Sequence, residues 1–144
     1  MMGTRGYVLV GIIVVAVAAA WLFVARSHAP SAAPDPALSR TSGGGVYLVT
    51  IEPETPPLRH GELHSWIARI ETAAGDAVVD ARITVDGGMP QHGHGLPTAP
   101  AASHIGDGHY RIEGVRFNMA GWWEFRLIIS GPAGDDEVTF NIKL

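Results

Sequence analysis

From Val46 to the C-terminus, large apolar residues recur at every second position, and no stretch keeps a helical period. Tyr47, Val49 and Ile51 alternate with their neighbours. Trp66, Ala68 and Ile70 do the same, with His64 on their face. Ala77, Val79, Ala81, Ile83 and Val85 follow, then Tyr110 and Ile112, then Trp123, Phe125, Leu127 and Ile129. Val138, Phe140, Ile142 and Leu144 close the series. Each such strand can bury one face and leave the other in water, which is the habit of antiparallel sheets. Gly75-Asp76, Gly87-Gly88, Gly106-Asp107-Gly108, Met119-Ala120-Gly121 and Gly131-Pro132 supply the turns. The spacing predicts strands over 46–51, 62–70, 77–86, 101–105, 109–117, 121–130 and 136–144. Six or seven strands in this length predict an all-β fold, an immunoglobulin-like antiparallel β-sandwich over 46–144. Trp66, Trp123, Phe125 and Phe140 are the expected core.

The first 25 residues do not belong to that domain. Tyr7 to Ala25 is apolar or glycine throughout and carries no charge. As a helix such a run rises about 28 Å, close to the hydrocarbon thickness of a bilayer. Arg5 before it favours a cytoplasmic start. A cleaved signal peptide is the alternative, with Ser27-His28-Ala29 as the cleavage motif. The run is longer than a usual signal core, so an uncleaved N-terminal transmembrane helix is the expectation. Residues 26–45 are rich in Ala, Pro, Ser and Gly and read as a flexible linker. The resulting layout is 1–25 anchor, 26–45 linker and 46–144 sandwich. The expectation is a single-pass protein of the inner (cytoplasmic) membrane, its domain on the periplasmic or outer side.

There is no cysteine, so an exported domain of this chain holds no disulfide and no thiolate metal site. Over 46–144, seven basic and thirteen acidic residues leave a net charge of −6 with histidines neutral. That balance argues against a nucleic-acid partner, which needs basic phosphate contacts.

Met89-Pro90-Gln91-His92-Gly93-His94-Gly95 stands out chemically. Imidazole and thioether are ligands that copper accepts, and thioether favours Cu(I). The flanking glycines let the backbone turn tightly enough for neighbouring side chains to converge. A polar turn between two strands is the plainer reading of the same residues. Strand parity separates the two. If successive strands alternate in direction, one end collects His60, His64, the Met89–His94 loop and Met119. The other end collects Asp76, His104 and His109 together with the linker, so the rim lies opposite the tether. The metal candidates are therefore Met89, His92, His94 and Met119, with His64 either supporting them from behind or hydrogen-bonded in the core. Met89 can equally pack over the sandwich end. Met119, beside Trp122 and Trp123, can equally make a sulfur–aromatic contact. His28, His60, His104 and His109 read as surface residues.

The run from Asp86 to Thr98, with Gly108-His109-Tyr110 and Phe117-Asn118-Met119-Ala120-Gly121-Trp122-Trp123, resembles the FixH/YtkA-like family over most of 46–144. The resemblance implies a small exported β-sandwich, often on one membrane anchor. FixH-type members are linked to assembly of copper-containing respiratory oxidases, beside a copper-exporting ATPase. Carried over by motif position, the matching residues are Met89, His92, His94 and Met119. This chain departs from FixH in its short anchor-plus-domain layout and its lack of a cysteine motif.

Three functions follow as expectations. The first is a membrane-tethered copper-binding protein that holds Cu(I) or Cu(II) and passes it to a copper-protein or oxidase-assembly partner. The second is a structural or interaction module that docks a membrane partner without metal. An enzyme is the third and is not expected. The chain has no Gly-x-Ser-x-Gly elbow, phosphate loop or zinc-protease motif, and Ser103-His104 shows no activated nucleophile.

Overall fold

The computed structural model describes residues 33–144. The expected membrane helix, and the linker up to residue 32, lie outside the described residues. Nine strands follow in order. They are β1 (Ser39–Thr41), β2 (Tyr47–Pro53), β3 (Leu63–Thr72), β4 (Arg82–Met89) and β5 (His94–Gly95), then β6 (Ala101–Gly106), β7 (His109–Arg116), β8 (Trp122–Gly131) and β9 (Gly134–Lys143). Every pairing is antiparallel, and no described residue is helical.

The hydrogen-bonded path runs β1-β2-β3-β7-β6-β4-β8-β9, with β5 pairing β4 off this path. β6 and β4 meet at one register pair, Thr84–Ala101, so the path folds there into two facing sheets. Between them lie Tyr47, Trp66, Tyr110, Phe117, Trp123, Phe125 and Phe140, each at most 2% exposed. All but Phe117 are alternating residues of the sequence, and their burial is what the period-two pattern exists to achieve.

Two local departures shape the ends. In β7 the Tyr110–Ile112 alternation skips to Val115 and Phe117, all four buried. The switch happens at Gly114, at φ +83°, opposite a register shift between His64 and Trp66 in β3. A bulge of this kind needs a residue that tolerates positive φ, and it turns Val115 and Phe117 inward beside His64, which keeps the parity of Trp66 along β3. The second departure corrects the expected strand over 77–86. β4 starts only at Arg82, Val78 is buried and Val79 is 54% exposed, the reverse of the expected parity. The Tyr110 hydroxyl explains it, donating to Val78 O (3.0 Å) and accepting from Ala81 N (3.1 Å). The segment therefore bonds to a phenol instead of continuing a ladder. Burial raises the pKa of that phenol, keeping it neutral as donor and acceptor.

The stretch expected as linker also contributes structure. Within it, β1 pairs with β2, and Asn141 Nδ2 of β9 donates to Asp35 O. Because β1 runs antiparallel to β2, Pro34 ends up beside Pro90, Gln91 and Trp122, around a cavity of about 160 Å³. The expectation that the linker lies wholly at the end opposite the Met/His rim is thus overturned for Pro34 and Asp35, while β1 runs back along β2 until Thr41 pairs with Leu48 near the other end. An additional strand reverses the parity of the chain's entry.

Candidate metal centre

The expected directions hold for the seven expected strands, β2 to β4 and β6 to β9; β5 is an additional strand that runs the same way as β6. The ends of β4 and β7 and the starts of β3 and β8 share one rim. That rim receives His60, His64, the Met89–His94 turn and the Met119 loop.

The turn is a tight hairpin. Met89 O accepts from both His92 N and Gly93 N, each at 3.0 Å. Pro90 follows Met89, where its fixed φ suits a turn, and Gly93 takes φ +67°. The chain then returns as β5, pairing Met89 with His94 and Gly88 with Gly95. Gly88 permits this return. A Cβ there would run into the His94 carbonyl oxygen and come within 2.9 Å of Gly95 Cα. Residues across a ladder share a face, so His94 is carried to the inward side of β4 with Met89.

His94 is half-buried and held from two directions. Its Nδ1 lies 3.2 Å from Gly95 O, and its ring meets the Trp123 ring edge-on with centroids 5.5 Å apart. A proton on Nδ1 donated to that carbonyl leaves Nε2 with a free lone pair, the usual arrangement of a metal-binding imidazole. The His92 ring is exposed, with its centroid 6.0 Å from that of His94. Two imidazoles sharing one ion through bonds of about 2.0 Å place their centroids roughly 4.5 to 6.4 Å apart, so this separation suits a shared ion.

The two methionines part company. Met89 is 1% exposed, its methyl packed where a Cβ on Gly121 would come within 2.7 Å. Met119 is 36% exposed, and its carbonyl accepts from Trp123 Nε1 at 3.1 Å. Met119 therefore touches the tryptophan through its backbone, and its side chain is the accessible thioether. Met89 lies beneath the same loop.

His64 sits apart from this group. It is 8% exposed, and its Nε2 is 2.8 Å from Arg59 O. Its ring faces Phe117 at 6.3 Å, Phe117 faces Trp123 at 5.4 Å, and Trp123 in turn faces His94. Two aromatic rings thus separate the imidazoles of His64 and His94. His60 is exposed, in a turn tied to this end by Gly61 N donating to Phe117 O. His104 stacks near Tyr110 at 5.0 Å, and with His109 it belongs to the opposite end.

Among the described residues no three His, Cys, Asp or Glu side chains converge as a metal site. A third donor at the His92–His94 pair therefore has to be a thioether, a carbonyl or a group from outside. Beside the pair, Gly88, Pro90, Gly93, His94, Glu124 and Arg126 border an open hollow of about 190 Å³. Trp123 is the neighbour that sequence reasoning did not single out. The signal is the adjacency of Met119 to Trp122 and Trp123, which in the sequence reads only as a sulfur–aromatic contact.

No curated protein and no solved structure matches this chain. The YtkA-like family model matches residues 41–127, 87 of the 144 residues, and ends within β8, past both the Met/His hairpin and the Met119 loop. With more than half of its length matched, the chain belongs to the YtkA-like family.

Proposed function

We propose that this is a membrane-tethered copper-binding protein that takes up and hands on the metal at the rim formed by the Met/His hairpin and the Met119 loop. The observation that carries the reading is His94. Its Nδ1 is within reach of a backbone carbonyl, and its ring packs on Trp123 with His92 alongside. Two imidazoles and the accessible thioether of Met119 suit copper in either oxidation state, sulfur favouring Cu(I). Met89 joins as a ligand if its sulfur turns out from under Gly121. An exposed ion with few protein donors suits transfer better than storage, because a partner's ligands can approach from the open side. A respiratory-oxidase assembly factor is the most specific form of this reading. It draws on the FixH resemblance and on the apolar run of residues 7–25, which would hold the domain on the periplasmic side of the inner membrane. The sandwich would be immunoglobulin-like, since β2-β3-β7-β6 against β4-β8-β9 follows the order A-B-E-D against C-F-G.

The test is copper titration of the full chain in detergent micelles, with a chromophoric chelator as competitor. We expect about one copper per chain, lost when His92 and His94 are both replaced by alanine. Replacing Met119 should weaken Cu(I) more than Cu(II). Affinity should fall as pH drops, because imidazole must lose its proton to ligate. Equal binding by the wild type and the double-histidine variant would leave the hairpin as a structural turn. The rim would then be an interaction surface for a membrane partner, a reading to which exposed Leu63 (61%) and Met119 lend weight.

A further inference from the structure

The two loops that carry the copper candidates come from distant parts of the chain, yet one side chain touches both. From this geometry, and resting on the copper reading above, we infer that Trp123 is the positioning residue of the centre. It holds the His94 imidazole and the Met119 loop in a fixed relation before metal arrives.

Trp123 is the second residue of β8 and is 1% exposed. Its indole N–H donates to the Met119 carbonyl at 3.1 Å, while its ring takes the edge-on contact with His94 and packs on Phe117. The ends of the 117–121 loop are held by Gly61 N on Phe117 O and by the mutual bonds of Gly121 and Leu144. Its middle is held by the indole. A buried tryptophan ordinarily finds a partner for its N–H. Trp66 shows that this core does not insist on one, since its Nε1 is buried with no partner. The Trp123 bond is therefore more than a consequence of filling volume, because it is aimed at the loop that carries a ligand candidate. On the other side, the ring contact and the approach of Nδ1 to Gly95 O together limit how the His94 ring can turn. Ligands fixed in this way bind metal without first having to be ordered, and removing such a partner commonly costs ten- to a hundredfold in affinity.

The experiment is a double-mutant cycle on the full chain in micelles, with wild type, Trp123→Phe, Met119→Leu and the double variant. Phenylalanine keeps an aromatic ring facing His94 and Phe117 and removes the indole N–H together with the volume of its five-membered ring, a loss of packing that Tm reports separately from affinity. We expect each single change to weaken Cu(I) about tenfold and the double variant to lose little more than either, since both break the same arrangement. A purely structural role would lower Tm but leave the Met119→Leu penalty at full size in the Trp123→Phe background. A second readout uses the wild type alone. On adding Cu(I), the indole N–H resonance of Trp123 should move and that of Trp66 should not, a result that holds even if Trp123→Phe fails to fold. Additive penalties, an unchanged Cu(I) affinity in Trp123→Phe, or an unmoved Trp123 resonance overturn this inference while copper binding through His92 and His94 stands. No copper binding by the wild type overturns both readings.

Discussion

At position 88 the absence of a side chain decides where a candidate ligand goes. The Cβ of any other residue would meet the His94 carbonyl and Gly95 Cα, both backbone, so neither can move aside cheaply. Gly88→Ala should cost about 1–3 kcal/mol in stability, the range for overpacking a tight site. It should also weaken copper binding although no donor atom is removed, because β5 must shift and carry His94 away from Trp123. Chemical denaturation beside chelator competition checks both. Destabilisation with unchanged affinity would mean that the His94 position does not depend on the hairpin pairing. The glycine pair was visible in the sequence only as a turn signal. Gly88 instead lies within β4, where its bareness lets another strand approach.

At the scale of elements, the 42–46 turn is fastened to β9 by one carboxylate. Asp136 accepts from the Ser42 hydroxyl (2.6 Å) and from the backbone N–H groups of Gly44, Val46 and Glu137. The Ser42 bond first, then the backbone donors, pull its pKa from 3.8 down to about 2. The folded-state pKa is the lower one, so this clasp contributes fully above about pH 4 and is lost as pH falls toward about 2. Asp136→Asn should therefore be less stable than the wild type at neutral pH and lose less on acidification between pH 4 and 2. Urea midpoints across that range measure the difference, and parallel acid profiles would exclude the clasp. Nothing in the sequence pointed to it. Gly43-Gly44-Gly45 read as linker because glycine runs are flexible alone; it is the distant β9 that gives Gly44 N–H the Asp136 carboxylate and Gly43 N–H the Glu137 carbonyl, while Gly45 N–H bonds locally to Ser42 O.

At the scale of the whole domain, stability should grade from the strand pairs to the rim. β3, β7 and β8 are paired on both sides and carry the aromatic core, whereas β5 is two residues long and pairs only with β4. Amides of β3, β7 and β8 should exchange with solvent slowest and those of residues 90–95 among the fastest. Added copper should slow exchange in 90–95 and 118–121 and leave β3 unchanged. Exchange followed by mass spectrometry tests this, and protection spread evenly over the domain would contradict it. The all-β fold and most of the core are legible in the chain alone, and the directions of β2 to β4 and β6 to β9 follow once successive strands are taken to alternate. Period two is a local property, and a residue such as Phe125 or Phe140 declares its face through its neighbours. Which methionine is enclosed and which is accessible follows from the folded contacts, because it depends on Gly121 lying over Met89. Tertiary contacts likewise set His64 behind two rings, put Trp123 between His94 and Met119, and drew Pro34 to the rim. Each of these outcomes depends on groups far apart in the chain, and no local pattern encodes such a meeting.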